Sequence, residues 1–454
     1  MDYPIWDLAL GGGVLIGIVA IAHVLVSHFA VGGGIVIAIV ETLAVRREDP
    51  ALRLLAKRTS LMLILVSTVF GAISGVGIWF TIGLVQPAAT SSLIHNYVWG
   101  WAAEWGFFVL EVVTALLYFA TWERVRPRTH LLIIWLYAFA AFMSLVIIQG
   151  ILAFMLTPGR WIETRSFWDG IFNPTYLPGL VLRTGICLLL AAAYMAFAAL
   201  REKDLEARAS LVRLLASFGV GGSLVAYAGY RLWEASLPDA IRAIFLGPSP
   251  LLASLATTRH LALWSLTGFL ALSLLALVLP RTQRSAIALV AILLAFLFLG
   301  TYERIREGAR KPFVIRDFMF SNGVLVSEIE TLNREGILSK AAFAASEAQP
   351  DDASRGRAVF RAQCASCHTL DGYLSIRKLV APMGADGIGG VLDVMRGQAG
   401  EIAGAASPGG SLDTRKPTYP LMPPLVGTDD EARALAAYLS TLLPEAQKEA
   451  SHAR

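Results

Sequence analysis

Apolar positions gather into long unbroken runs over the first two thirds of the chain and thin out after them. A helix needs roughly 20 residues to cross a bilayer. Eight runs reach that length, at about 12–43, 60–86, 97–121, 131–156, 177–200, 211–232, 258–280 and 285–302. After Tyr302 the hydropathy falls and does not recover. From about 303 the chain is polar, passes an Ala/Ser/Glu-rich stretch near 341–355, and reads as a compact globular segment to about 445. The pattern predicts an all-α protein: a polytopic membrane bundle of about eight transmembrane helices over 1–303, a linker over 304–351, and a small all-α domain over 352–447.

Charge placement sets the orientation. The first connection carries Arg46, Arg47, Arg53, Lys57 and Arg58, the third Arg124, Arg126 and Arg128, the fifth Arg201, Lys203, Arg208 and Arg213, and the seventh Arg281 and Arg284. The connection at 87–96 holds only His95 among basic or titratable nitrogen groups, and those at 157–176 and 233–257 hold Arg160, Arg165 and Arg242 between them. Basic residues collect on the cytoplasmic side, so both termini and the last domain are expected outside. The first run starts late and is too long for a cleaved leader, and it is expected to be retained. Composition agrees: 56% of the 454 residues are hydrophobic and 16% charged, against about 25% charged in soluble domains. With a net charge of only +4 and three cysteines, a disordered chain, a nucleic-acid binder and a disulfide-stapled fold are excluded.

The polar last third carries Cys364-Ala-Ser-Cys367-His368. In C-x-x-C-H two thiols take the haem vinyl groups and the adjacent imidazole binds iron. A zinc site would need a second pair of ligands, and the remaining cysteine, Cys187, lies in mid-span as a small apolar core residue. The surroundings resemble a class I cytochrome c. Gly356-Arg-Ala-Val-Phe360 is similar to that family's first helix, and Thr428-Asp-Asp-Glu431 is a capping box opening a helix with Leu435, Tyr438 and Leu439 inward. Leu421-Met422-Pro423-Pro424 resembles the loop of the distal methionine. The resemblance implies one covalent haem c held by Cys364, Cys367 and His368, with Met422 as sixth ligand and Met383 and Met395 as competitors. Thioether ligation of low-spin iron suits one-electron transfer.

Ionisable groups in mid-span are functional candidates because they are costly there. The runs contain His23 and His28, Glu104 and Glu111, Arg183, and Arg259 with His260 near an outer end. Glu104 and Glu111 are two helical turns apart and share a face, whereas His23 and His28 diverge by roughly 140°. His95, His130 and His452 fall at connections or the terminus and are expected to be solvent-exposed. Gly11-Gly-Gly13 and Gly32-Gly-Gly34 read as close-packing surfaces.

Ala22-His23 with Glu41 eighteen residues on resembles the first helix of cytochrome bd quinol oxidase subunit I. Phe107-Phe-Val-Leu-Glu111, running on through Trp122-Glu-Arg124, resembles that family's third helix. Ala309-Arg310-Lys311-Pro312-Phe313 stands where the family has a Gly-Arg-Gln-Pro-Trp motif, and Asn173-Pro174 precedes the fifth helix as in the family. The resemblance implies a haem ligand at His23, buried carboxylates at Glu104 and Glu111 beside the haems and on the proton route, and a further ligand at Asp317. It also exposes departures. The family's fifth-helix histidine is replaced within Leu182-Arg183-Thr184, the methionine of the seventh helix within Arg259-His260-Leu261, and the connection at 233–257 lacks the features of the quinol loop.

Electrons are therefore expected from the outer face through haem c, into one or more b-type or d-type haems near His23, Glu104 and Glu111. His28, His260, Arg183 and Asp317 are further cofactor-binding candidates, with Arg183 suited to a propionate or a carboxylate. The expected function is oxidoreduction in a respiratory chain of a bacterial cytoplasmic (inner) membrane, by a terminal reductase of oxygen. The alternatives are a non-catalytic electron-transfer or anchoring subunit, and a quinol:cytochrome c-type reductase. Expected partners are membrane lipid, a subunit II-like membrane protein, and a cytochrome c or another respiratory complex as electron partner, with no nucleic acid.

Overall fold

A computed structural model describes residues 5–6, 8–239, 241–242, 250–346, 348, 351–405 and 422–444. Among them are eight helices long and apolar enough to cross a membrane. These are α1 (Gly12–Arg47), α2 (Pro50–Val85), α3 (Pro87–Ala120), α4 (Pro127–Leu156), α5 (Tyr176–Ala199), α6 (Leu205–Ser236), α7 (Pro250–Val278) and α8 (Ser285–Ala309). Their ends follow local chemistry. Asp49 accepts from the N–H groups of Ala51 (2.8 Å) and Leu52 (3.2 Å) with Pro50 at the first helical position, and Asp204 does the same for Glu206 and Ala207 at the start of α6. Arg46 and Arg47 close α1, where cations favour the helix dipole.

Hydropathy misplaces one connection. Residues 87–96 are helical, and only Gln86 separates α2 from α3. The polar stretch is the first part of α3, which leaves helical geometry once, at Tyr97 (φ −126°, ψ 27°). Within α2, Ile64–Gly71 is a π-helical segment, a distortion that recurs at functional sites.

The described residues form two compact units. One comprises Ala20–Val76 and Tyr97–Ala309. Its core gathers Phe29, Ile37, Leu63, Ile134, Tyr137, Cys187 and Leu215, all 2% exposed or less. Close backbone approach makes this packing possible. A Cβ at Gly32 would fall on the carbonyl of Cys187, and one at Gly185 or Gly229 would fall inside the backbone of Ala226 or Leu182. These glycines seat α1 and α6 directly against α5.

The other unit comprises Met1–Val19, Gly77–Asn96 and Arg310–Arg454. Its core joins the hairpin β1 (Phe313–Ile315) and β2 (Met319–Phe320) and α9 (Ile329–Glu335) to α10 (Asp352–Gln363), α11 (Ile376–Val380), α12 (Gly384–Ala405) and α13 (Asp429–Thr441). Much of 304–351, expected as a linker, is thus folded: Phe313, Phe320, Ile329 and Ile337 are buried with Val359 and Leu435. The capping box forms as expected. Thr428 and Glu431 close it, and the Glu431 carboxylate also accepts the N–H groups of Ile337 (2.8 Å) and Leu338 (3.0 Å). Gly356 seats α10 on the backbone of Ala434, with Phe360 against Tyr438 at 5.7 Å between ring centroids.

Candidate functional site

α10 runs into the C-x-x-C-H turn, in which the N–H of His368 donates to Cys364 O (2.8 Å) and that of Cys367 to the same oxygen (3.1 Å). The His368 ring has its Nδ1 2.9 Å from Leu374 O. A carbonyl only accepts, so Nδ1 carries the hydrogen and Nε2 keeps its lone pair. An imidazole held in that tautomer is ready to bind iron. Both thiols are unpaired, and burial, with Cys367 adjacent, pushes the Cys364 thiol up to about 12. The donor set fits a covalently attached haem.

Of the methionine candidates, Met395 packs against the domain core and its carbonyl accepts from Leu425 N (3.3 Å). Met383 and Met422 are 39% and 42% exposed. Only Met422 precedes a clamped segment: Gln363, at the end of α10, donates to Val426 O (2.7 Å) and accepts from Val426 N (3.1 Å). Leu421 and His452 lie outside the described residues. In the same unit the haem-binding turn meets the N-terminal segment, with Tyr373 N donating to Leu10 O (3.4 Å) and Gly372 against Ala9. Gln86, between α2 and α3, reaches Ser321 O (3.3 Å).

The same accounting of ring nitrogens sorts the bundle histidines. His23 sits on α1 with Nδ1 3.1 Å from Ser74 Oγ. That hydroxyl gives its own hydrogen to Phe70 O (2.5 Å) and accepts from Nδ1, the ring also reaches the Gly71 backbone, and among the described residues Nε2 meets no side-chain partner. Its imidazole lies against Gly75, where a Cβ would crowd it at 3.2 Å. The donor chemistry at His23 thus fits a haem ligand.

His28 does not. Its Nδ1 donates to Val24 O (2.7 Å), and Nε2 accepts from Arg183 Nη1 (3.2 Å), so no lone pair is left for iron. Arg183 is 1% exposed and also donates from Nε to Gln149 Oε1 (2.7 Å) and from Nη2 to Glu303 Oε1 (2.6 Å). Glu303 accepts on its other oxygen from Arg306 Nε (3.0 Å), and Arg306 Nη2 reaches Glu307 (2.6 Å). Among the described residues Arg183 thus finds a carboxylate partner.

Glu104 accepts from Ser144 Oγ (2.7 Å) and Glu111 from Tyr137 Oη (3.1 Å), both across the α3–α4 pair. His130 corrects the expectation of exposure. It is 4% exposed, because Glu41 (2.5 Å) and Tyr118 O (3.0 Å) take both ring nitrogens and the rings of Tyr118 and Trp122 flank it at 4.4 Å each. His260 lies on an exposed face of α7, beside Arg259, which pairs with Glu234 at 2.7 Å. Asp317 is exposed in the turn between β1 and β2, paired loosely with Arg316 at 3.8 Å, so it fits a solvated turn residue better than a buried haem ligand.

Residues 14–230 match the family model of cytochrome bd terminal oxidase subunit I, and residues 353–443 match that of cytochrome c. By these matches a region similar to cytochrome bd subunit I, 14–230, is followed by a cytochrome c domain, 353–443. The structure of bd oxidase from Geobacillus thermodenitrificans is similar, with a TM-score of 0.58 and 16% identity over 68% of this chain and 89% of that one. No curated protein matches. The two domains imply haem binding and respiratory electron transfer by an integral membrane protein.

Three members of the bundle's polar network escape a reading of the sequence. Gln149 is uncharged and draws no attention inside an apolar run. Glu303 and Arg306 lie just past the hydropathy drop at Tyr302 and read as the start of the polar segment. Their i, i+3 spacing, continuing the α8 pattern, is the signal that places them on a helix.

Proposed function

We infer that this bd-like protein is a terminal reductase of oxygen whose electrons enter through haem c. The observation that carries the reading is the pair His368 and His23. Each ring has Nδ1 committed to a neighbour and, among the described residues, an Nε2 without a side-chain partner, one in the cytochrome c domain and one in a bundle that also buries Glu111. The haems, when bound, supply one-electron couples and, at the His23 site, a place for oxygen to bind. His368 and Met422 would hold the haem c iron, and Cys364 and Cys367 would anchor the macrocycle. His23 would hold a b-type or d-type haem, and Glu111 and Glu104 would pass the protons that oxygen reduction consumes.

Entry from quinol is disfavoured, because Arg183 at the resembling ligand position is committed to Glu303, Gln149 and His28. The contacts of Tyr373 with Leu10 and of Gln86 with Ser321 support a cytochrome c domain on the side of the N terminus and of the α2–α3 turn. That is the extracytoplasmic side by the distribution of basic residues. A membrane subunit resembling subunit II and an external cytochrome c are the partners this arrangement suits.

Oxygen uptake by the purified protein with reduced cytochrome c tests the reading, together with a carbon monoxide difference spectrum. Uptake with a ferrous–carbon monoxide signal is expected. A protein with only six-coordinate haems and no uptake, with and without partner subunits, is instead an electron conduit.

A further inference from the structure

The helices α3 and α4 run antiparallel, and their polar contacts recur every seven residues on both. Glu104 meets Ser144, Glu111 meets Tyr137, and Tyr118 meets His130. Seven residues are close to two turns, so the three rungs lie on one face and span about 21 Å along the axis. Thr114, 4% exposed, adds a buried hydroxyl between the last two rungs. The third rung is completed from α1 by Glu41, 3% exposed, whose two oxygens meet Tyr118 Oη and His130 Nδ1 at 2.5 Å each.

The third rung holds one transferable proton. His130 Nε2 faces a carbonyl, so it carries a hydrogen, and Tyr118 Oη donates to Glu41 Oε2. One hydrogen is left to lie between Glu41 Oε1 and His130 Nδ1. On the nitrogen it makes an imidazolium paired with a carboxylate, and on the oxygen a neutral acid against a neutral ring. Its removal leaves the cluster one unit more negative, and its return restores the starting state.

The second rung is built to respond. Tyr137 has a single hydroxyl hydrogen, which Glu111 Oε1 (3.1 Å) and Ala30 O (3.2 Å) can accept, and the Ser67 side chain also hydrogen-bonds the hydroxyl. Tyr137 donates to Glu111 when that carboxyl is ionised. When Glu111 is protonated, the acid can donate to Tyr137 and the hydroxyl can turn to Ala30. Glu41 lies near the last turn of α1, Tyr118 near the last turn of α3 and His130 in the first turn of α4, at the end of the bundle that carries basic connections. Among the cations of α2, Lys57 pairs with Glu123 (2.8 Å), near which Arg53 also lies, and Arg58 with Glu202 (3.5 Å).

We propose that Glu41, His130 and Tyr118 form the proton-loading end of this seam, from which one proton at a time passes by way of Tyr137 to Glu111. The proton leaves the Glu41–His130 pair, arrives on the Glu111 carboxylate, and is replaced from the cytoplasmic side, with no electron moving in the step. About 10 Å separates the two rungs, so the transfer needs water in the seam. The proposal rests on the reading that the bundle consumes protons when its haems are reduced.

The test is stopped-flow reduction of the full-length holoprotein by dithionite-reduced cytochrome c in weak buffer, with haem absorbance and a pH-indicator dye read together. In Glu41→Gln, electron entry at unchanged rate with proton uptake slowed at least ~10-fold supports the loading role. Uptake at the wild-type rate overturns it. Tyr137→Phe removes one oxygen atom and keeps the ring, so it decides the question should Glu41→Gln fail to fold; the same slowing is expected, and wild-type uptake overturns the path. A wild-type protein that takes up protons on reduction yet consumes no oxygen refutes the terminal-reductase reading alone. One that takes up no protons refutes the seam.

Discussion

Glu303→Gln isolates the charge of the buried network with little change of shape. In the native bundle the carboxylate accepts from Arg183 at 2.6 Å and from Arg306 at 3.0 Å, and both guanidiniums are at least nine-tenths buried. An amide oxygen can still accept one hydrogen bond but cannot balance two cations. Arg306 keeps Glu307, whose side chain is 42% exposed, while Arg183 keeps only neutral partners. Removing one member of a buried pair typically costs about 3–5 kcal/mol, a large fraction of the 5–15 kcal/mol that holds most folds. Tryptophan fluorescence during unfolding in mixed SDS micelles reads the loss. The double variant Arg183→Leu with Glu303→Leu removes both charges of the shorter pair and should be less damaged than the summed singles by at least ~1 kcal/mol. A Glu303→Gln protein within about 0.5 kcal/mol of wild type, or a double variant equal to the sum of the singles, would refute the view that the network is a coupled set of buried charges.

His23→Ala should lower the b-type or d-type haem content by one per chain in a pyridine haemochrome assay, while His28→Ala leaves it unchanged; an equal loss in both contradicts the assignment of ring nitrogens. Gln363→Ala removes both hydrogen bonds to Val426 and should destabilise the cytochrome c domain by about 1–3 kcal/mol, with weakening of the methionine-to-iron charge-transfer band; an unchanged band argues against Met422 as the ligand. Glu431→Ala leaves the N–H groups of Ile337, Leu338 and Thr428 without their carboxylate and should cost about 2–4 kcal/mol. Denaturant titration followed by haem absorbance checks it, and an unshifted midpoint counts against the capping account.

Eight spans, the capping box and the haem-binding turn were legible because each follows from local rules of hydropathy, side-chain capping or fixed spacing. The π-segment of α2 and the helical state of 87–96 were not, since a polar stretch at a helix end looks like a loop to any hydropathy window. His130 was misread for a related reason. It lies only three residues into α4, after Arg126 and Arg128, and a neighbourhood so basic suggests water. Glu41, nearly ninety residues earlier, and Tyr118 enclose it, and a pairing across three helices has no local trace.

Sequence can name the histidines near a membrane haem, but ligation depends on a lone pair, and lone pairs depend on neighbours. His23 and His28 lie five residues apart on one helix, and both are candidates by cost alone. Ser74 gives its hydrogen to Phe70 and engages Nδ1 of His23, so among the described residues Nε2 of His23 meets no side-chain partner, whereas Arg183, which can only donate, occupies the Nε2 of His28. Arg183 therefore acts on more than α5. It occupies Nε2 of His28 and ties α1, α5 and α8 together through its bonds to His28 and Glu303, which sets His28 apart from His23 in what it can offer a metal.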